Sequence, residues 1–235
     1  ETASTNEVLK KSGNKLKHGT IVIAEKQTQG RGRRGRQWSS PFGSGLYFSI
    51  FLKPHLPVYV VPRLTILSGV AVAESLERFG IETKLKWPND IMIGNKKIGG
   101  ILSEMALEGN EIDYVILGIG LNVHTEYEDF PIDFRDKAGS IKTETGKTVS
   151  RRLLFKEIVQ NLEKRYLEFC DNNGLLGEIK KIWEKKAYGL NEEVFITTGQ
   201  NKERCIILGL KEDGILLIKD FKGCIKEIFA GEVLF

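Results

Sequence analysis

Three cysteines in 235 residues, Cys170, Cys205 and Cys224, are too widely spaced and odd in number to build a disulfide framework or a zinc site. A reducing, cytoplasmic compartment is the expectation. The three histidines, His18, His55 and His124, show no metal-ligand spacing either. No apolar run approaches the roughly 20 residues that cross a bilayer, and the first residues carry no signal-peptide pattern. Neither a membrane span nor export is therefore expected. Charge of one sign is scarce as well. A net charge of +4, with 28% charged residues, is too even for a dedicated nucleic-acid binder, whose footprint is a pI above about 9 and one basic face. What remains is an ordinary globular composition, 41% hydrophobic, without repeats or low-complexity stretches. Its length suits one large domain or a main domain plus a small one. Glu1-Thr-Ala-Ser reads as the interior of a longer chain, so sequence upstream of Glu1 is expected.

The most unusual stretch runs from Gly30 to Trp38, Gly-Arg-Gly-Arg-Arg-Gly-Arg-Gln-Trp. Glycine lets the backbone approach a ligand closely. Arginine brings a permanent charge and a planar fork of donors matched to carboxylate and phosphate oxygens. Such a stretch can close over a small, multiply anionic molecule. It can equally be a solvated basic loop or an Arg-Gly segment that holds RNA. A second stretch, Lys84 to Ile93, contains Trp87-Pro88-Asn89-Asp90, which is turn chemistry between two strand-like pieces. Lys86, Asp90 and Lys97 bracket Gly99-Gly100, a set that fits a phosphate and Mg²⁺ site, with carboxylate for metal and lysine for phosphate. Two hairpins with polar turns would account for the same glycines and prolines without a ligand. Gly118-Ile-Gly120 is too short for a dinucleotide fingerprint, and no helical pattern follows it.

Local patterns place these stretches on a scaffold. Ser4 and Glu7 stand at capping-box spacing before a helix from about 5 to 16. Residues 20–25 and 45–52 read as strands, and Pro62 opens a helix to about residue 79. Gly94-Asn95 and Glu108-Gly109-Asn110 mark hairpins. Ser150 caps a helix to about residue 171, and another covers about 175–186. Near residue 187 the pattern changes from helical to alternating, dividing the chain into 1–187 and 188–235. Beyond it, four short strand candidates at 193–198, 205–210, 215–219 and 224–229 predict a small β-barrel.

Taken in order, Ser4-Thr5-Asn6, Gly30-Arg-Gly-Arg-Arg-Gly-Arg with Trp38, Lys86-Trp-Pro-Asn-Asp, Lys97-Ile-Gly-Gly-Ile-Leu with Glu104, and Gly118-Ile-Gly-Leu-Asn122 resemble the bacterial biotin–protein ligases. The resemblance spans the family's catalytic domain and extends to its small C-terminal β-domain. It implies an α+β fold, a mixed β-sheet flanked by helices of the class II synthetase-like type, followed by an SH3-like β-barrel. It implies that biotin and Mg·ATP give biotinyl-5′-adenylate and pyrophosphate. A lysine of a biotin carboxyl carrier protein, such as an acetyl-CoA carboxylase subunit, then takes the biotinyl group and AMP leaves. By position, Ser4, Thr5, Asn6, Gln27, Gly30, Arg31, Gly32, Arg33, Lys97 and Gly100 resemble the biotin-contacting residues. Arg33, Arg36, Trp38, Lys86, Asn89, Asp90, Lys97 and Asn122 resemble the ATP side, with Lys97 and Arg33 catalytic and Asp90 the carboxylate near Mg²⁺. A homodimer joined through sheet edges is expected by the same analogy.

Two relatives of this reading stay in view. A lipoate or octanoate–protein ligase shares the fold and the adenylation chemistry but usually lacks the Gly-Arg-Gly-Arg-Arg-Gly pattern. Some family members also repress transcription through an N-terminal helix-turn-helix. That motif is not within these residues, so DNA enters only with an upstream domain. A nucleic-acid-binding module built on the arginine loop would demand steeply salt-dependent binding.

Overall fold

The computed structural model describes residues 1–235, the side chain of Asn14 excepted. In chain order the elements of the first part are α1 (Thr5–Ser12), β1 (Thr20–Ala24), β2 (Gly45–Leu52), α2 (Val61–Glu77), β3 (Lys84–Lys86), β4 (Asp90–Ile93), β5 (Lys96–Glu108), β6 (Glu111–Asn122), α3 (Ile141–Thr145), α4 (Arg151–Asp171) and α5 (Glu178–Lys186). β1 to β6 form one six-stranded sheet in the order β1-β2-β6-β5-β4-β3. Every pairing in it is antiparallel, in place of the expected mixed sheet. The reason lies in the connections: β3 to β6 are joined by tight turns, which can only pair strands antiparallel.

Side chains alternate between the two faces of this sheet. On one face Phe48, Ile50, Leu117, Ile119 and Ile101 meet α2, α4 and the rest of a single large buried cluster. The opposite face carries Ser49, Gly118 and Leu102 in one cross-strand row and Tyr47, Gly120 and Gly100 in the next. Among the helices α1 covers part of that second face, through a small cluster of Leu9, Phe51 and Ile116. The glycine-lined remainder is where the site lies.

α2 is apolar over most of its circumference because it is largely enclosed, as such helices are. Its buried serines are satisfied within the helix, Ser68 donating to Leu64 O and Ser75 to Ala71 O. The expectation that no apolar run reaches membrane-spanning length needs correcting here. Val58–Glu77 is 20 residues long with mean hydropathy 1.3. Its most apolar 18-residue window is 72% buried, and the helix packs against the sheet and α4, so it is a core helix.

The capping box at the start of α1 also does not form. Ser4 stands at the N-cap position without a side-chain cap hydrogen bond, and Glu7 turns instead to Arg31, 2.6 Å away. Ser150 does cap α4, accepting from Leu153 N. The C-terminal strands number five rather than four: β7 (Glu193–Thr198), β8 (Asn201–Leu210), β9 (Leu216–Asp220), β10 (Ile225–Ile228) and β11 (Glu232–Leu234). They form an antiparallel sheet ordered β10-β9-β8-β7-β11, with β10 and β11 as its edges, so the ladder does not close into the expected barrel. Val194, Ile207 and Ile218 of this sheet join the same buried cluster as α2.

Candidate functional site

One end of the open face is built by hydroxyl and amide groups. The backbone N–H of Thr5, in the first turn of α1, donates to Gln27 Oε1 at 2.8 Å, which fixes the amide so that Gln27 Nε2 donates to Ser40 Oγ at 3.0 Å. The Thr5 hydroxyl lies 2.6 Å from Ser49 Oγ, Ser49 donates to Asn6 Oδ1 at 2.5 Å, and Asn6 Nδ2 donates to Glu104 Oε2 at 2.7 Å. Thr5, Asn6 and Ser49 are buried. Gly118 makes room for Asn6, since a Cβ there would stand 2.3 Å from Asn6 Oδ1. Ser4 is buried beside them.

Two residues along β6, about 7 Å at the usual strand rise, Gly120 does the same for Trp38. A Cβ at Gly120 would meet Trp38 Nε1 at 2.5 Å, and one at Gly100 would meet Trp38 Cζ3 at 3.3 Å. The Gly-Ile-Gly pattern thus lays a floor for two side chains and serves no nucleotide fingerprint. Gly30 accepts the Trp38 N–H at 2.9 Å and tolerates no Cβ, which would lie 2.4 Å from Trp38 O. The indole Nε1 is buried and has no hydrogen-bond partner among the described residues.

The other end is cationic. Lys97 Nζ sits 5.5 Å from the Trp38 ring centroid and pairs with Asp90 at 2.5 Å. Arg33 reaches Asn89 Oδ1 at 3.3 Å, while Asn89 Nδ2 donates to Ile101 O and ties the turn to β5. Burial, helped by the neighbouring Arg34, pulls the Arg33 pKa down from its ordinary value. Burial also pulls Lys86 down, against the opposing pull of Asp90 and Glu232. These two cations are short of counter-charge, and an anion placed beside them would restore it.

The arginine loop is folded. Arg31 bridges to Gln37, Gly32 N donates to Arg36 O, and Arg34 takes a left-handed conformation at φ 56°. Arg31 is latched to Glu7 of α1, so its guanidinium faces the helix. Arg36 is held by both carboxylate oxygens of Glu232, at 2.7 and 2.6 Å, which joins the loop to β11. That bidentate contact raises the Arg36 pKa and lowers that of Glu232. Asn122 donates to Gly139 O at 2.9 Å and anchors the chain that follows β6.

The sequence therefore placed Thr5, Asn6, Gln27, Gly30, Arg33, Trp38, Lys86, Asn89, Asp90, Lys97 and Gly100 on one face. It turned Arg31, Arg36 and Asn122 toward protein partners. Four residues absent from the expected set complete the arrangement: Ser49, Ser40, Glu104 and Glu232. Cross-strand register was the only signal for Ser49, and no local signal marks Glu232.

One end built from hydroxyl and amide groups, backed by Glu104, and a cationic end on the same sheet face suit an elongated molecule with a hydrogen-bonding head and an anionic tail. The sequence profile of the Biotin/lipoate A/B protein ligase family matches residues 1–122, and the chain belongs to that family. The bifunctional ligase/repressor BirA of Bacillus subtilis (strain 168) is 37% identical over 223 residues, which cover 94% of this chain and 68% of that protein. The biotin--[acetyl-CoA-carboxylase] ligase of Paracoccus denitrificans is 28% identical over 238 residues, covering 100% of this chain and 98% of that one. The biotin protein ligase from Aquifex aeolicus, in complex with biotin and ATP, matches with a TM-score of 0.84 and 34% identity over 99% of this chain and 94% of its own.

Proposed function

We propose that this chain is an ATP-dependent biotin–protein ligase that forms biotinyl-5′-AMP and transfers biotin to a lysine of a biotin carboxyl carrier protein. The carrying observation is the pairing of a hydroxyl- and amide-lined end with a cationic end on one face. Biotin has that polarity: a cyclic urea at its head, a carboxylate at its tail. A lipoyl head group offers nothing to the Thr5–Gln27 end, which agrees with the relatives being biotin ligases.

In the first step a biotin carboxylate oxygen attacks the α-phosphorus of ATP and pyrophosphate leaves. Two anions must meet, so cations aimed at the developing charge lower the barrier. In this reading Lys97 would neutralise the carboxylate and α-phosphate, with Arg33, which contacts Asn89, and Lys86 serving the nucleotide. Trp38 supplies an apolar wall between the two ends, resting on Gly100 and Gly120. In the second step the carrier's lysine amine attacks the acyl carbon, the C–O bond to AMP breaks, and the amine loses its proton as the amide forms.

Mg²⁺ belongs to this reading. Among the described residues no three His, Cys, Asp or Glu side chains cluster as a metal site. Asp90 stands alone beside Lys97. A single carboxylate fits magnesium that arrives on nucleotide phosphates and keeps several waters. Asp90 would hold it there, and the ion would supply positive charge to the phosphates.

We further infer that residues 188–235 are a C-terminal β-domain that shares its buried side with the first part, that the enzyme works in the cytoplasm, and that two copies join through a sheet edge. β1 and β3 are the edges of the large sheet, and an unpaired edge offers a row of backbone donors and acceptors. Incubation with biotin, Mg·ATP and a carrier domain should place one biotin on one carrier lysine, read by intact mass. A carrier left unmodified by enzyme that consumes ATP and biotin would overturn the assigned acceptor.

A further inference from the structure

The hydroxyl protons at the head-group end can be counted, and the count fixes their direction. Asn6 Nδ2 faces Glu104, and a carboxylate only accepts, so Asn6 Oδ1 faces Ser49. An amide oxygen cannot donate, so the 2.5 Å contact uses the single proton of Ser49. The 2.6 Å contact between Ser49 and Thr5 must then use the single proton of Thr5. Nothing remains to fill the 3.1 Å approach of Thr5 Oγ1 to Gln27 Oε1. The Gln27 amide cannot turn to donate there, because its Oε1 accepts the Thr5 backbone N–H and its Nε2 serves Ser40. Two acceptors are thus left side by side, held that way by a chain that ends on Glu104.

We infer that Ser49, Asn6 and Glu104 are a proton-ordering relay that keeps the Thr5 hydroxyl an acceptor, and so selects an acid whose head group presents an N–H donor to Thr5 and Gln27. The inference rests on the ligase reading above and deepens it. Ser49, Asn6 and Glu104 act here as positioning residues through Thr5. Satisfied buried networks of this kind fix one arrangement of donors and acceptors. A site built around a substrate N–H rejects an analogue lacking it far more strongly than apolar pockets discriminate, because its acceptors stay unpaired.

Glu104→Gln is the decisive variant because it keeps the shape and frees the direction. The side-chain amide it introduces can donate to Asn6 Oδ1 once the Asn6 amide turns over. Asn6 then donates to Ser49, Ser49 to Thr5, and Thr5 to Gln27 Oε1, so every contact in the chain gains a proton. The assay is pyrophosphate exchange into ATP by the full chain with biotin, and with the two cyclic carbamate analogues in which one ureido N–H is replaced by oxygen. Wild-type exchange with biotin tests the ligase reading by itself, and the ratio of biotin to carbamate tests the relay.

Wild type should prefer biotin over at least one carbamate by about 100-fold or more in kcat/KM. In E104Q that ratio should fall at least about tenfold, with the KM for biotin raised and the KM for ATP within about twofold of wild type. Ser49→Ala, which also releases the Thr5 proton, should shift the ratio in the same direction, and Ser49→Thr should restore it. An unchanged ratio in both E104Q and S49A, with biotin and carbamate losing equal factors, would overturn the relay and leave Ser49 and Glu104 as packing.

Discussion

Gly118 and Gly120 each hold open the space that another side chain fills, Asn6 in one case and Trp38 in the other. Gly118→Ala puts a methyl where Asn6 Oδ1 now lies, 2.3 Å away. Overpacking of this kind costs about 1–3 kcal/mol, here taken from the head-group end. The expected result is a KM for biotin raised at least about tenfold, at little change in the KM for ATP. Equal losses toward both substrates would contradict the placement of Asn6. Arg33 is argued differently. It bridges from the loop to Asn89, across the mouth of the cationic end. A reactive acyl-adenylate needs such a cover to keep water and stray amines away. Arg33→Gly should keep part of the exchange activity but release the intermediate, so that labelling of lysines on unrelated proteins rises. An inactive yet fully selective variant would remove retention from the role of Arg33.

Among the elements, the clasp between the arginine loop and β11 is the one that pH should open. Arg36 lowers the pKa of Glu232 in the folded chain. A carboxyl with a depressed folded-state pKa stabilises the fold above its unfolded value, near 4.3, and that contribution is lost as pH falls through the lowered value. Both partners are partly exposed, so the contribution is no more than about 1 kcal/mol. Relative to Glu232→Gln, wild type should therefore be more stable at neutral pH, with the difference vanishing below the ordinary glutamate range. A difference independent of pH would contradict the clasp. Arg165 makes a stronger link between α4 and α2. It is 8% exposed and binds Glu74 through Nε at 2.9 Å and through Nη2, with Glu168 on its third nitrogen. Arg165→Met should cost about 2–3 kcal/mol, somewhat under the value for breaking a fully buried pair. That is about 5–10 °C in Tm for a chain of this size. The KM for biotin should stay unchanged, since neither helix reaches the site face.

Across the whole molecule, what was legible in the sequence follows a physical line. Patterns that act over a few residues were readable: the Ser150 cap, the hairpin at Gly109, the strand 45–52, and the arginine–glycine loop. Contacts made by register were not. Ser49 becomes part of the site only because β2 pairs with β6 and sets it opposite Gly118, with Leu102 of β5 beyond. Glu232 meets Arg36 across 196 residues of sequence, on a three-residue strand too short to show alternation. The Ser4–Glu7 box failed for the same reason, because a distant arginine outcompeted the local backbone for Glu7. Asn122, Arg31 and Arg36, assigned to the ligand by motif, also make protein contacts whose partners, Gly139, Glu7 and Glu232, no local pattern announces.

The central claim is that one face activates biotin as its adenylate. Exchange of labelled pyrophosphate into ATP tests it most directly, run with Mg²⁺ and with biotin, lipoate or octanoate in turn. Exchange should depend on biotin and be absent with the other two acids. Exchange supported by lipoate, or none with any acid in a folded sample, would contradict it.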